Sequence, residues 1–225
     1  MSKVAAIIVG AGLSKRLGQD KTFLNLGGKP VIAWSVDALQ KNGRIDTIIL
    51  VLHKDNIDAG RKLVTGSGWS KVKAICRGGE RRQDSVRSGL EAVGAGEWVL
   101  IHDAARPFLT DRLIEEGLQA AADTGAASTA IEVKDTIKQV DESGIVVRTL
   151  QRSKLRATQT PQVFRADLLK KAYELSSGEF TDDAGVVERA GYRVKLYPGD
   201  YENIKITTPD DMVLAEIIAK GRTGK

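Results

Sequence analysis

Residues Val4 to Val9 form an unbroken apolar run that stops at Gly10-Ala11-Gly12, with Lys15, Arg16 and Lys21 close behind. A short run of this kind reads as a strand buried on both faces, the first strand of a parallel sheet. Parallel strands need long crossover connections, so this one feature commits the chain to helices alternating with strands. Glycines let backbone N–H groups close on a phosphate with no side chain in the way. Arg16 and Lys21 then add full charge beside those dipoles. The stretch reads as a polyphosphate cradle on Gly10, Ala11 and Gly12. Alone, it is equally a glycine turn with solvated cations. It fits neither familiar glycine loop: Lys15 stands where a dinucleotide fingerprint needs its third glycine, and no window matches a Walker A loop.

The rest of the chain keeps that rhythm. Ile32, Val36 and Leu39 lie at helical spacing after Lys29-Pro30, and Gly43 stops the helix. Ile45 to Leu52 reads as the second strand. Asp55 opens a helix that fades at Gly66-Ser67-Gly68, and Val72 to Cys76 reads as the third strand. Trp98 to Ile101 is the fourth, Thr110 caps a helix ending at Gly125, and Ala127 to Val133 is the fifth. The pattern then breaks. Residues 135–140 and 145–150 flank a polar turn, Asp141 to Gly144, which is a hairpin signal outside the main sheet. Leu168, Ala172 and Leu175 mark a helix, Thr181 reads as the cap of another, and Tyr192 to Tyr197 reads as a strand. Ile204-Lys205-Ile206 alternates like a short strand, and Thr208-Pro209-Asp210-Asp211 starts the last helix.

The expected fold class is therefore α/β: a Rossmann-like, three-layer, mainly parallel sheet with crossover helices and a protruding β-hairpin arm. It is expected to be one domain over residues 1–225, with 135–150 as the arm. Ligands of such sheets sit at the carboxyl ends of strands, which gives the strand-end motifs weight. Gly78 to Ser85 follows the third strand as a second glycine turn at a helix N-terminus. His102-Asp103-Ala104-Ala105-Arg106-Pro107 follows the fourth. Asp103 there suits ribose hydroxyls or a metal, Ala104 lets a nucleotide come close, and Arg106 can fork onto a phosphate. His102 reads as structural, because no histidine or cysteine stands at ligand spacing from it.

Composition narrows the class of function. Net charge is +5, but Lys and Arg are interspersed with Asp and Glu. The acid-free cluster, Lys220 to Lys225, reads as a frayed tail. An anionic small substrate explains the surplus, and no nucleic-acid partner is expected. Cys76 stands alone, which leaves no disulfide framework and no cysteine metal site. No apolar run is long enough for a bilayer and the start lacks a signal pattern, so a cytoplasmic protein with no membrane partner is expected.

Gly10-Ala11-Gly12-x-Ser14-x-Arg16-Leu17-Gly18 with Lys21 resembles the signature loop of sugar-nucleotide and alditol-phosphate nucleotidylyltransferases. Gly78-Gly79-Glu80-Arg81-Arg82-Gln83-Asp84-Ser85, the His102 to Pro107 motif, Thr160-Pro161-Gln162 and Asn203-Ile204-Lys205 narrow the likeness. Together they resemble the 2-C-methyl-D-erythritol 4-phosphate cytidylyltransferase family of the non-mevalonate isoprenoid pathway, over nearly the whole chain. The family often has Pro-Ala-Ala-Gly where this chain has Val9-Gly10-Ala11-Gly12, and Lys-Gln where it has Lys21-Thr22.

The resemblance implies CTP and 2-C-methyl-D-erythritol 4-phosphate as substrates and Mg²⁺ as cofactor. It implies that Gly79 and Glu80 read the cytosine edge with help from Ser85, beside a nucleotide held by Gly10, Ala11, Gly12, Asp103 and Ala104. Arg16, Lys21, Arg152 and Lys205 are the implied catalytic set. The acceptor is assigned to Asp103, Arg106, Thr136, Arg152, Thr160, Thr181 and Lys205, and Asp103 is the candidate metal contact. The arm is expected to embrace a second copy in a homodimer. The rivals are a ribitol 5-phosphate cytidylyltransferase, a non-catalytic nucleotide- or RNA-binding protein, and a dehydrogenase weakened by Lys15.

Overall fold

The computed structural model describes residues 3–12, 21–94 and 98–223. The first half runs β1 (Val4–Gly10), β2 (Asn25–Leu26), β3 (Lys29–Pro30), α1 (Val31–Lys41), β4 (Thr47–Leu52), α2 (Ile57–Ser67), β5 (Val72–Arg77) and α3 (Arg82–Glu91). Then follow β6 (Trp98–Asp103), α4 (Asp111–Thr124), β7 (Ala126–Glu132), β8 (Lys138–Val140) and β9 (Val146–Thr149). The chain closes with β10 (Arg156–Arg165), α5 (Ala166–Leu175), α6 (Asp183–Arg189), β11 (Lys195–Pro198) and α7 (Pro209–Thr223).

One sheet of order β11-β7-β10-β6-β1-β4-β5 carries the architecture. β1 pairs in parallel with both β4 and β6, and β10 alone runs against its neighbours. The period-two alternation of β1 explains the two helical layers. Val4, Ala6 and Ile8 pack on one face with Val36 and Leu39 of α1 and Leu113 and Ile114 of α4. Ala5 and Ile7 pack on the other with Val86 and Leu90 of α3, Leu169 of α5 and Val186 of α6. Both faces of β1 are covered, which is why its sequence is apolar throughout.

The site lies where strand order reverses. From β1 the chain winds outward through β4 and β5, then returns to place β6 on the other side of β1. Val9 and Asp103 are register partners, so β1 and β6 end level and open one crevice.

Four expectations change. Residues 156–165, read only as a motif, form β10. Pro161 falls where the register shifts between Thr158 and Gln162, so no ladder bond is asked of its missing N–H. Residues 204–206 are not a strand; Ile206 makes one backbone bond, to the Ala105 carbonyl, and is fully buried. The cap of α6 is Asp182 rather than Thr181, its carboxylate accepting from the Gly185 N–H at 2.9 Å. The basic cluster at 220–223 continues α7 instead of fraying. Among the described residues β8 and β9 pair only with each other, so the hairpin does leave the main sheet.

Candidate active site

A cleft at the ends of β1 and β6 is lined by Gly10, Gly12, Lys21, Thr22, Gly79, Glu80, Arg82, Ser85, Asp103, Ala105 and Lys205, among others. Lys21 opens a short 3-10 turn, Lys21–Phe23. The next residue, Thr22, is buried and donates to the Gly10 carbonyl at 3.3 Å, tying that turn to the end of β1. Arg16 lies outside the described residues.

The second glycine turn is built by close packing. A Cβ on Gly78 would stand 2.1 Å from the Ala11 Cβ and 2.8 Å from the Ser85 Oγ. Gly78→Ala is therefore expected to cost about 1–3 kcal/mol of stability and to raise the nucleotide KM. Denaturant titration and steady-state kinetics check this, and an unchanged midpoint would show that the turn yields freely. The Ser85 hydroxyl accepts from the Gly79 N–H at 3.2 Å and donates to the Arg81 carbonyl at 3.3 Å, so it also shapes the turn.

Asp103 is the hub. It is buried at the end of β6, and its backbone N–H donates to the Thr160 hydroxyl on β10 at 3.0 Å. One carboxylate oxygen lies 3.1 Å from Arg82 Nε and the other 2.6 Å from Lys205 Nζ. Burial disfavours the charge, but Arg82 and Lys205 outweigh it and hold the carboxyl far below its usual range. Lys205 reaches Asp103 because its neighbours are anchored. Asn203 Nδ2 donates to the Thr160 carbonyl at 2.8 Å, and Ile206 plugs the core beneath α7.

His102 is structural, as its sequence suggested. Its Nε2 bonds the Arg106 carbonyl at 2.9 Å, so that nitrogen carries the proton, and Nδ1 accepts from the Thr160 hydroxyl at 3.1 Å. Burial pushes its pKa down from 6.5 to about 4. The unfolded chain takes up a proton that the folded chain refuses, so stability is lost as pH falls from about 6.5 toward about 4. The expected slope in that window is about 1.4 kcal/mol per pH unit. Denaturation midpoints at pH 7 and 5, beside a His102→Asn variant, check it. Equal losses in both proteins would remove His102 as the cause.

The structure thus brings Lys21, Gly10, Gly12, Gly79, Glu80, Ser85, Asp103 and Lys205 together. It places the other described candidates elsewhere. Ala11 and Ala104 are buried and not on the cleft wall, where Ala105 stands instead. Arg106 donates through Nη1 to the Asn203 carbonyl at 2.7 Å, and burial lowers its pKa. Thr160 is buried between His102 and Asp103. Thr136 and Thr181 are exposed, and Arg152 donates to the Lys134 carbonyl at the base of the arm. Arg82 has no role assigned by the sequence pattern. The available signal was a cation in the first turn of α3, where the helix dipole disfavours it unless acids hold it there.

Glu80 and Asp103 are the carboxylates on the cleft wall among the described residues, and both Asp103 oxygens already face cations. Among those residues there is no cluster of three or more metal-ligating side chains. Such a donor set suits a Mg²⁺ carried mainly by triphosphate oxygens and water, not a cage of protein ligands.

The likeness to known proteins covers the same ground. Residues 4–221 match the family model described as IspD, 2-C-methyl-D-erythritol 4-phosphate cytidylyltransferase. A protein of that name from Dehalococcoides mccartyi (strain ATCC BAA-2266 / KCTC 15142 / 195) is 51% identical over 219 residues, covering 97% of this chain and 96% of its own length. One from Clostridium novyi (strain NT) is 47% identical, covering 97% of each chain. The crystal structure of 4-diphosphocytidyl-2C-methyl-D-erythritol synthase from Anaerococcus prevotii DSM 20548 superposes with a TM-score of 0.87 at 31% identity, covering 97% of this chain and 96% of that one. With a glycine-lined crevice at the strand reversal and a match spanning nearly every residue, the chain belongs to the 2-C-methyl-D-erythritol 4-phosphate cytidylyltransferase family.

Proposed function

We propose that this protein transfers the cytidylyl group of CTP to the phosphate of 2-C-methyl-D-erythritol 4-phosphate. A phosphate oxygen of the acceptor attacks the α-phosphorus in line. The bond from that phosphorus to the bridging oxygen breaks, and pyrophosphate leaves with the electron pair. The acceptor oxygen is already ionised, so no general base is required. The difficulty is to bring two polyanions together, which positioning and countercharge solve. The observation that carries the reading is that Lys21 and Lys205 line one cleft between two glycine turns.

Lys21 and Arg16 stabilise charge on the α-phosphate and the departing pyrophosphate, and Lys205 holds the acceptor phosphate with Asp103 orienting it. Mg²⁺, when bound, would offset part of the triphosphate charge. The Gly79–Glu80 turn reads the base, its backbone pairing with the exocyclic amine and N3 in a pattern that uracil inverts. Residues 1–225 act as one nucleotidylyltransferase domain, with 135–150 the arm of a homodimer. Val140, Ile145, Val146 and Val147 on that arm are each at least half exposed, which suits a partner surface. No described helix is long and apolar enough to cross a membrane. Free Cys76 suits a reducing compartment, and we read the cytoplasm as the setting.

Pyrophosphate release with CTP, the acceptor and Mg²⁺ tests the reaction. CTP is expected to be turned over in preference to UTP, ATP and GTP. Equal turnover with ATP would remove the base-recognition argument. Faster turnover of ribitol 5-phosphate than of 2-C-methyl-D-erythritol 4-phosphate would reassign the acceptor.

A further inference from the structure

A line of four charges crosses from the α5–α6 layer to the cleft. Asp183 is fully buried, its Oδ1 accepts from the Tyr173 hydroxyl at 2.6 Å, and its backbone N–H donates to Gln162 Oε1 at 3.1 Å. Those bonds fix it. Its Oδ2 holds Arg82 Nη1 at 2.7 Å, and Arg82 Nε in turn holds Asp103 at 3.1 Å. Lys205 closes the line at 2.6 Å from the other Asp103 oxygen. Side-chain exposure is 0% at Asp183, 21% at Arg82, 10% at Asp103 and 37% at Lys205, so Lys205 is the most exposed member at the cleft.

We propose that Arg82 is a positioning residue for the acceptor: it holds and neutralises Asp103 so that the charge of Lys205 stays available to the acceptor phosphate. The inference rests on the cytidylyl-transfer reading. An anionic acceptor has to enter a site that contains a carboxylate. With Lys205 as its sole partner, Asp103 would form a closed neutral pair with it, leaving little net field for a phosphate. With Arg82 present, Asp103 faces two cations, and Asp183, which balances Arg82, lies at the far end of the line, so the outer cation retains more positive potential. Arg82 also fixes the carboxylate's direction, because Asp183 fixes Arg82. Arg82→Gln leaves the line one negative charge in excess.

The test separates acceptor from nucleotide. Arg82→Gln and the charge-balanced double variant Arg82→Met, Asp183→Asn are compared with the wild-type chain by steady-state pyrophosphate release. The double variant removes one charge of each sign, so it avoids leaving Asp183 buried and unpaired. In both, the acceptor KM is expected to rise about 10- to 100-fold, on the scale of the losses that follow removal of the partners behind a metal-ligating residue. The CTP KM is expected to stay within about threefold, and Arg82→Lys to recover part of the loss. An acceptor KM within about twofold of wild type in the folded double variant overturns the inference, as does a CTP KM rising in step with it. No release by the wild-type chain overturns the cytidylyl-transfer reading and this inference with it. Release by wild type with unshifted variants overturns this inference alone.

Discussion

Lys21→Ala is expected to lower kcat by about 10²- to 10³-fold while CTP affinity changes little. Charge builds on the α-phosphate and on the departing pyrophosphate as the reaction proceeds, so a cation aimed there stabilises the transition state more than the ground state. Losing one such donor costs about 2.7–4 kcal/mol where it has been measured in other enzymes. Lys21 is suited to the role because its turn is anchored by the buried Thr22 against the Gly10 carbonyl, so it is carried at the end of β1. Arg16, seven residues beyond Val9, is expected to behave alike. Single-turnover rates at saturating CTP, beside equilibrium CTP binding, separate the two effects. A variant that raises only the KM for CTP would make Lys21 a binding residue and no more.

Local pattern carried most of the fold. Val4 to Val9 announced β1, and Thr110 and Gly125 bracket α4 as cap and left-handed terminator, the latter at φ +78. Asp103 was legible because it ends a strand beside a glycine turn, where open α/β sheets bind ligands. What escaped notice was set by distant partners. β10 looks like a loop because Gln159, Thr160 and Gln162 are polar; they are buried with bonds that run to distant segments, at Asp200, Asp103 and Ser128. Arg82 is indistinguishable in sequence from its neighbour Arg81. Arg81 pairs within its own turn with Asp84 and is half exposed. Arg82 turns inward to carboxylates 21 and 101 residues away. Ile204-Lys205-Ile206 shows the opposite failure, since its alternation is real but only one backbone bond exists to make a ladder. Arg106 has partners that sequence does not show: its carbonyl and guanidinium both serve neighbouring segments, through His102 and Asn203.

Arg152→Ala is expected to be nearly inactive, and the defect is expected to be repaired by a partner chain. Arg152 does not line the cleft of its own chain; it stands just past the arm and bonds the Lys134 carbonyl at the arm's base. Among the described residues the arm pairs with no other strand; it turns at Asp141 to Gly144 with Gly144 at φ +80 and leaves its apolar side chains in the open. An exposed two-stranded hairpin with apolar side chains is a docking element, and a closed twofold dimer is the commonest way to satisfy it. In such a dimer Arg152 of one subunit is expected to reach the acceptor site of the other, while Lys21 works in its own. Each homodimer, Arg152→Ala or Lys21→Ala, then has two damaged sites. After subunit exchange, a heterodimer holds one site with both residues intact and one with neither. About half the wild-type activity per heterodimer should return, as an isologous shared site requires. Exchange verified by mass with no recovery would place Arg152 outside the partner's site. A monomer at assay concentration would reject the shared site outright.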